Sequence, residues 1–273
     1  MAVPAVLIAI VLTMAVAAAV MAWPLRDQAR RRTRTLRDGL AGRFRNVVDR
    51  WGWPRALAAW FLGWYLALLA VTVGIGMLVQ VVGSGPGTVD RQVLSYFVER
   101  RTDELNTFMR LASDVGDSIT LMILGVVAAV VWRLRRQEWH GGLALVASFG
   151  GVVALYNAAK VLVSRARPDL EVALFEAPGL SFPSGHTTGS TAFYVALALV
   201  VATLALRWMM KVWILAGGLT VVAMIATSRL YLGAHWLTDV MWGVVLGAAW
   251  AVVAVTPLWA RMRQVPDRAE PVG

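Results

Sequence analysis

Residues 212–259, VWILAGGLTVVAMIATSRLYLGAHWLTDVMWGVVLGAAWAVVAVTPLW, decide the fold. Two apolar runs, Val212–Thr227 and Trp236–Trp259, flank a short connection that carries Ser228, Arg229, Gly233 and His235, with Asp239 just inside the second run. A helix rises about 1.5 Å per residue, so about 20 apolar residues cross a hydrocarbon core of about 30 Å. The second run meets that length, and the first meets it by extending into its flanks. An ionisable residue in such a run costs about 2.5–3.5 kcal/mol on insertion scales, so a residue like Asp239 calls for a function or a partner.

Working outward, the same pattern recurs in Ala56–Val82, Ser118–Trp132, Gly141–Val163, His186–Leu206 and, at the start of the chain, Val3–Trp23. A membrane barrel would instead show alternating segments of about ten residues. The expectation is an all-α integral membrane fold: a six-helix core plus one extra N-terminal transmembrane helix. Composition agrees, with 59% hydrophobic and 15% charged residues, against about 25% charged in soluble domains. Cysteine is absent, which excludes disulfides, thiol nucleophiles and cysteine metal sites. Three histidines leave little room for a histidine-rich metal centre. The organisation reads as 1–23, a transmembrane helix; 24–55, an arginine-rich cytoplasmic amphipathic segment; 56–259, the six-helix domain; and 260–273, a tail.

The net charge of +10 is informative through its placement. Eighteen of the 26 Lys and Arg fall in connections on one side of the spans: Pro24–Arg55, Trp132–His140, Arg207 with Lys211, and the tail. Seven fall on the other side, and Lys160 lies inside a span. The richer side is therefore cytoplasmic, in a multi-pass protein of the cell membrane. The first segment lacks a basic start and is followed at once by arginines, so it reads as a retained anchor rather than a cleaved signal. In 24–55, Leu36, Leu40, Phe44, Val47, Val48 and Trp51 recur at helical spacing among arginines. That suits a helix on an anionic leaflet; the plainer alternative is a solvated charge run that only fixes topology. Nucleic acid is the poorest fit. Trp51, Trp53, Trp60 and Trp64 look like an aromatic belt, and Gly243 with Gly247 form a small-residue pair for helix packing or dimerisation.

Three clusters carry chemistry. Lys160 lies near the outer end of the fourth of the seven spans, with Arg167 seven residues on; Pro168 makes Arg167 a helix end. Taken alone, these are a snorkelling lysine and an interfacial arginine. Pro183-Ser184-Gly185-His186 opens the next span: Ser184 as N-cap, Gly185 for close backbone approach, and the helix N-terminus as an anion site. Taken alone, this is a capped helix start. Ser228-Arg229 with His235 and Asp239 is the third. The last two are four apart on one helix face, so Asp239 can accept from one ring nitrogen and leave the other nucleophilic. The loop-charge topology puts all three at the outer face. Three cations, an anion nest, two histidines and a carboxylate suit phosphoryl transfer, where positioning and charge neutralisation do most of the work. Lys160, Arg167 and Arg229 would hold nonbridging oxygens, with Ser184 and the Gly185 N–H completing the cradle. His235 would attack phosphorus in line and His186 would protonate the leaving alkoxide. No metal and no cofactor is called for, since the cations take that role.

Lys160 with Arg167-Pro168, then Pro183-Ser184-Gly185-His186, then Ser228-Arg229 with His235 and Asp239 together resemble the complete three-part signature of the type 2 phosphatidic acid phosphatase superfamily. The motifs span Lys160–Asp239 in order, and the wider resemblance covers about Ala56–Trp259. It implies a metal-independent membrane lipid phosphatase with a phosphohistidine intermediate. It also implies that His235 is the nucleophile supported by Asp239, that His186 is acid and base, and that Lys160, Arg167, Ser184, Gly185 and Arg229 contact phosphate. The expected partner is a lipid phosphate: phosphatidic acid, phosphatidylglycerophosphate, or a polyprenyl phosphate or diphosphate. The alternatives are a lipid phosphotransferase using the same site, and a non-enzymatic anion-binding membrane protein or transporter.

Overall fold

The computed structural model describes residues 26–83, 87–169, 173–174 and 178–262. Within them lie nine helices: α1 (Arg26–Trp51), α2 (Trp53–Gly83), α3 (Thr88–Val98), α4 (Asp103–Asp114), α5 (Ser118–Arg136), α6 (His140–Val163), α7 (Gly185–Ala202), α8 (Trp208–Tyr231) and α9 (Leu237–Met262). Six of them, α2 and α5–α9, are long and apolar enough to cross a membrane. The expected segment 1–23 lies outside the described residues. The two short runs do extend into their flanks: α5 reaches Arg136, and α8 begins at Trp208 and ends at Tyr231.

Capping residues set several boundaries. Asp117 caps α5 by accepting from the Ile119 N–H at 2.9 Å, and Thr102 accepts from the Leu105 N–H to start α4. Helix α6 stops at Ser164, which turns left-handed at φ 53°. Gly52, at φ 75°, breaks α1 from α2.

The helices are layered by how much apolar surface they hide. α7 and α9 are mostly buried and form the axis, with α6 beside them; α2, α5 and α8 expose most of their length, as lipid-facing helices do. The core packs Val195, Ala196 and Val200 of α7 with Ala251, Val255 and Leu258 of α9. Contact is close because glycines face backbone. A Cβ on Gly247 would sit 2.5 Å from the Thr188 carbonyl oxygen, and one on Gly243 2.9 Å from Thr188 Oγ1. That pair serves packing of α9 on α7 within the chain. Ser148 of α6 ties in by donating to the Ala192 carbonyl at 2.8 Å.

Helix α1 is not free. Ala41, Phe44 and Val48 are buried against Ala56 of α2 and Ala260 of α9. Leu36 and Trp51, expected on the apolar face, are exposed. The aromatic group divides the same way. Trp53 and Trp60 meet Phe44 edge-on and belong to this junction, while Trp51 and Trp64 face outward.

Candidate active site

All eight singled-out residues lie at or beside one end of the α6–α9 bundle. Lys160 is on the last turn of α6; Arg167 is on the irregular segment after it; Ser184, Gly185 and His186 start α7; Arg229 is on the last turn of α8; His235 is in the turn between α8 and α9; and Asp239 is on the first turn of α9.

His235 is 2% exposed. Arg167 Nη1 lies 3.2 Å from its Nε2. An arginine can only donate, so Nε2 carries a lone pair and the ring proton is on Nδ1. Burial, and then the positive charges of Arg167, Arg229, Lys160 and His186, hold His235 well below the ordinary imidazole range. The imidazole is thus neutral, with its unprotonated nitrogen set against the Arg167 guanidinium. Burial also lowers Arg167, with Asp239 opposing the shift.

Arg167 and Lys160 are fixed by backbone carbonyls. Arg167 donates to Gly179 at 3.0 Å and Ala234 at 2.8 Å, and Lys160 Nζ to Leu180 at 2.5 Å. Arg229 Nη1 donates to Ser113 Oγ at 2.5 Å. In these bonds Arg167 and Lys160 are held by carbonyls rather than by a carboxylate, which keeps their charge available to an anion.

Two sequence expectations change in detail. Ser184 occupies the N-cap position of α7, but its side chain makes no capping bond; its Oγ pairs with Thr187 Oγ1 at 3.0 Å. The first amides of α7 therefore lack a side-chain cap from Ser184, which favours an anion there. Asp239 does not bond His235 directly: Oδ2 lies 3.6 Å from Nδ1. Ser181 stands between, its Oγ 3.4 Å from Nδ1 and donating to Asp239 Oδ2 at 2.5 Å. Oδ2 also accepts from the Trp236 N–H at 3.0 Å.

Sequence reasoning passed over several residues that build this site. Arg165, 4% exposed, donates to Asp239 Oδ1 at 2.5 Å and to Asp90 Oδ2 at 2.6 Å. Asp90, on α3, also accepts from the Thr238 N–H at 3.0 Å. Asp117 Oδ1 lies 3.7 Å from His186 Nε2, beyond a direct hydrogen bond. Ser113, Asp90 and Asp117 lie in the outer connection Gly83–Asp117. An unusual buried charge would have been the signal, but Asp90 and Arg165 sit in polar stretches where charge looks ordinary.

Comparison with known proteins fits this arrangement. The PAP2 superfamily pattern matches residues 141–263. Phosphatidylglycerophosphatase B of Bacillus subtilis is 32% identical over 164 residues, covering 59% of this chain and 78% of that protein. The chain belongs to the PAP2 superfamily. Decaprenylphosphoryl-5-phosphoribose phosphatase of Mycobacterium tuberculosis is 38% identical over 136 residues, 46% of this chain and 65% of that protein. The crystal structure of a transmembrane PAP2 type phosphatidylglycerolphosphate phosphatase from Bacillus subtilis aligns at a TM-score of 0.58 and 26% identity, over 78% of this chain and 98% of that one. This PAP2 protein is therefore a multi-pass membrane protein, and its relatives are membrane lipid phosphatases.

Proposed function

We propose that this chain hydrolyses the terminal phosphate of a membrane lipid through a phosphohistidine, at the extracytoplasmic face. The observation that carries the reading is the lone pair on His235 Nε2, turned toward Arg167 and the other cations. A phosphate seated among Lys160, Arg167, Arg229 and the first amides of α7 displaces the Arg167–Nε2 contact and exposes the nitrogen. Nε2 then attacks phosphorus, and the bond from phosphorus to the lipid oxygen breaks in line. The bound dianion raises the proton affinity of His186, which gives its proton to the departing alkoxide. In the second step His186 takes a proton from water, the hydroxide attacks phosphorus, and the P–N bond breaks to return His235 and free phosphate. Asp239, through Ser181, compensates the charge that His235 gains on attack. The face follows from the excess of Lys and Arg on the opposite side.

The relatives act on phosphatidylglycerophosphate and on a decaprenylphosphoryl sugar phosphate by name, so both head the substrate panel, with phosphatidic acid and undecaprenyl diphosphate. Purified protein in detergent with EDTA is expected to release phosphate from at least one of these, and His235→Ala to reduce release by about 10⁴-fold or more. Undiminished release by the variant would sink the mechanism.

A further inference from the structure

The turn between α4 and α5 is pinned from two sides. Tyr194 of α7 donates its hydroxyl to the Val115 carbonyl at 3.0 Å. Gly116 presses on α8 so closely that a Cβ there would sit 2.6 Å from Ile225 Cγ2. The turn closes on itself, the Gly116 N–H donating to the Ser113 carbonyl at 2.9 Å and the Asp117 N–H to that of Asp114 at 3.2 Å. Ser113, at the same corner, accepts from Arg229. Asp117 is thus delivered to a fixed place beside the site, and its two oxygens have different tasks there. Oδ2 caps α5 by accepting from the Ile119 N–H. Oδ1 is the oxygen turned to His186 Nε2, at 3.7 Å. A cap alone needs one acceptor, which Ser or Asn supplies as well as Asp does; the second oxygen and the charge are surplus to that task.

This pair also differs from the buried one. The side chains of His186 and Asp117 are 31% and 42% exposed, against 2% and 0% for His235 and Asp239. A group that gives a proton to a leaving oxygen and then takes one from water needs that access. Within the ring, Nδ1 is bonded to Cγ and stays beside the main chain at the start of α7, where the anion is proposed to sit. Nε2 is on the far side, toward α5. We infer that Asp117 is the positioning residue of His186: its carboxylate holds the Nε2 proton, so that Nδ1 is the nitrogen that gives a proton to the departing lipid alkoxide and regains one from water. In the imidazolium both nitrogens donate. When the Nδ1 proton passes to the alkoxide oxygen, the neutral ring keeps its proton on Nε2, toward Asp117. Nδ1 is left with the lone pair that accepts a proton from water as the hydroxide attacks phosphorus. A shift of about 1 Å closes the Asp117 contact to hydrogen-bond length. This role rests on those proposed above for His235 and His186.

Two leaving groups, compared on the full chain in detergent, distinguish this role from a structural one. A lipid alkoxide needs a proton as it departs, whereas 4-nitrophenolate departs without one. The ratio kcat/KM reports the steps up to formation of the phosphohistidine, so it isolates the acid role from the later hydrolysis. Asp117→Asn keeps a capping oxygen and the side-chain shape but loses the charge. It is expected to lose at least about tenfold in kcat/KM on the lipid of the panel that wild type turns over fastest. On 4-nitrophenyl phosphate it should lose only about twofold, with an unchanged melting temperature. Asp117→Ser, a second capping variant, should behave alike, and Asp117→Glu should recover part of the lipid turnover. Equal loss on both substrates would overturn the inference, since Asp117 would then act through the phosphate-holding groups or the packing of the turn. Full lipid turnover in the Asn and Ser variants would overturn it too, reducing Asp117 to the cap of α5. His235→Ala keeps the two readings apart: if it still turns over both substrates, the phosphohistidine fails; if it is inactive while Asp117→Asn matches wild type, only the role of Asp117 fails.

Discussion

His235 has a proton affinity lowered by burial and by the surrounding cations, and this fixes the sign of two pH effects. Its folded value lies below the ordinary one of about 6.5, so the unfolded chain binds the extra proton first as pH falls. Stability contributed by the neutral ring is therefore complete above about pH 6.5 and is lost as pH falls below it, by up to about 1.4 kcal/mol per pH unit while the difference persists. For activity, the free nitrogen survives to lower pH, so the acid limb of kcat/KM is expected below pH 6.5. Melting and turnover measured from pH 5 to 8 check both signs; a half-maximal acid limb above pH 6.5 would remove His235 from the role. The signature residues around this histidine were legible in the sequence because their spacing is short: His235 and Asp239 are four residues apart. Ser181 was not legible as the bridge between them, since it comes from 54 residues upstream and nothing in a hydroxyl's neighbours announces such a partner.

At the scale of elements, span number and loop polarity could be read from apolar runs, because lipid demands length and hydropathy in each span separately. Helix depth in the bundle could not. α2 is the more apolar of the two, with a mean hydropathy of 2.1 against 1.2, yet α7 is the axis and α2 the rim. What separates them is small residues against neighbouring backbone. Gly247→Ala is accordingly expected to be destabilising by about 1–3 kcal/mol through overpacking, because its methyl would meet the Thr188 carbonyl at 2.5 Å. Gly217→Ala, where nothing lies within 4 Å, is the control and should leave the melting temperature unchanged or slightly raised. A lowered melting temperature for Gly217→Ala equal to that of Gly247→Ala would refute the packing account. The amphipathic pattern of 24–55 was visible too, but its docking on α9 was not, since Leu36 and Trp51 are as apolar as Phe44 and only the fold tells them apart.

Across the whole molecule, the ion pairs of Arg165 join three distant parts of the chain: α3 through Asp90, the segment after α6, and α9 through Asp239. Removing one member of a buried pair costs about 3–5 kcal/mol, because the partner charge stays buried. Asp90→Asn is expected to lower the melting temperature and, in the fraction still folded, to lower kcat by about tenfold with a smaller change in KM, since Asp239 loses the brace on Arg165. A wild-type kcat in that variant would show that α3 contributes stability alone. This coupling could not be foreseen, since Asp90 and Arg165 are 75 residues apart and each looks like a surface charge.

The shared PAP2 pattern begins at residue 141, yet the carboxylate that anchors Arg165 and the hydroxyl that anchors Arg229 come from residues 90 and 113. What is inherited recognisably is thus smaller than what has to work together. A graft of residues 141–263 onto another membrane scaffold would carry every signature residue and still leave behind one of the two carboxylates that hold Arg165 and the hydroxyl that accepts from Arg229, so the working module has to be cut from α3 onward.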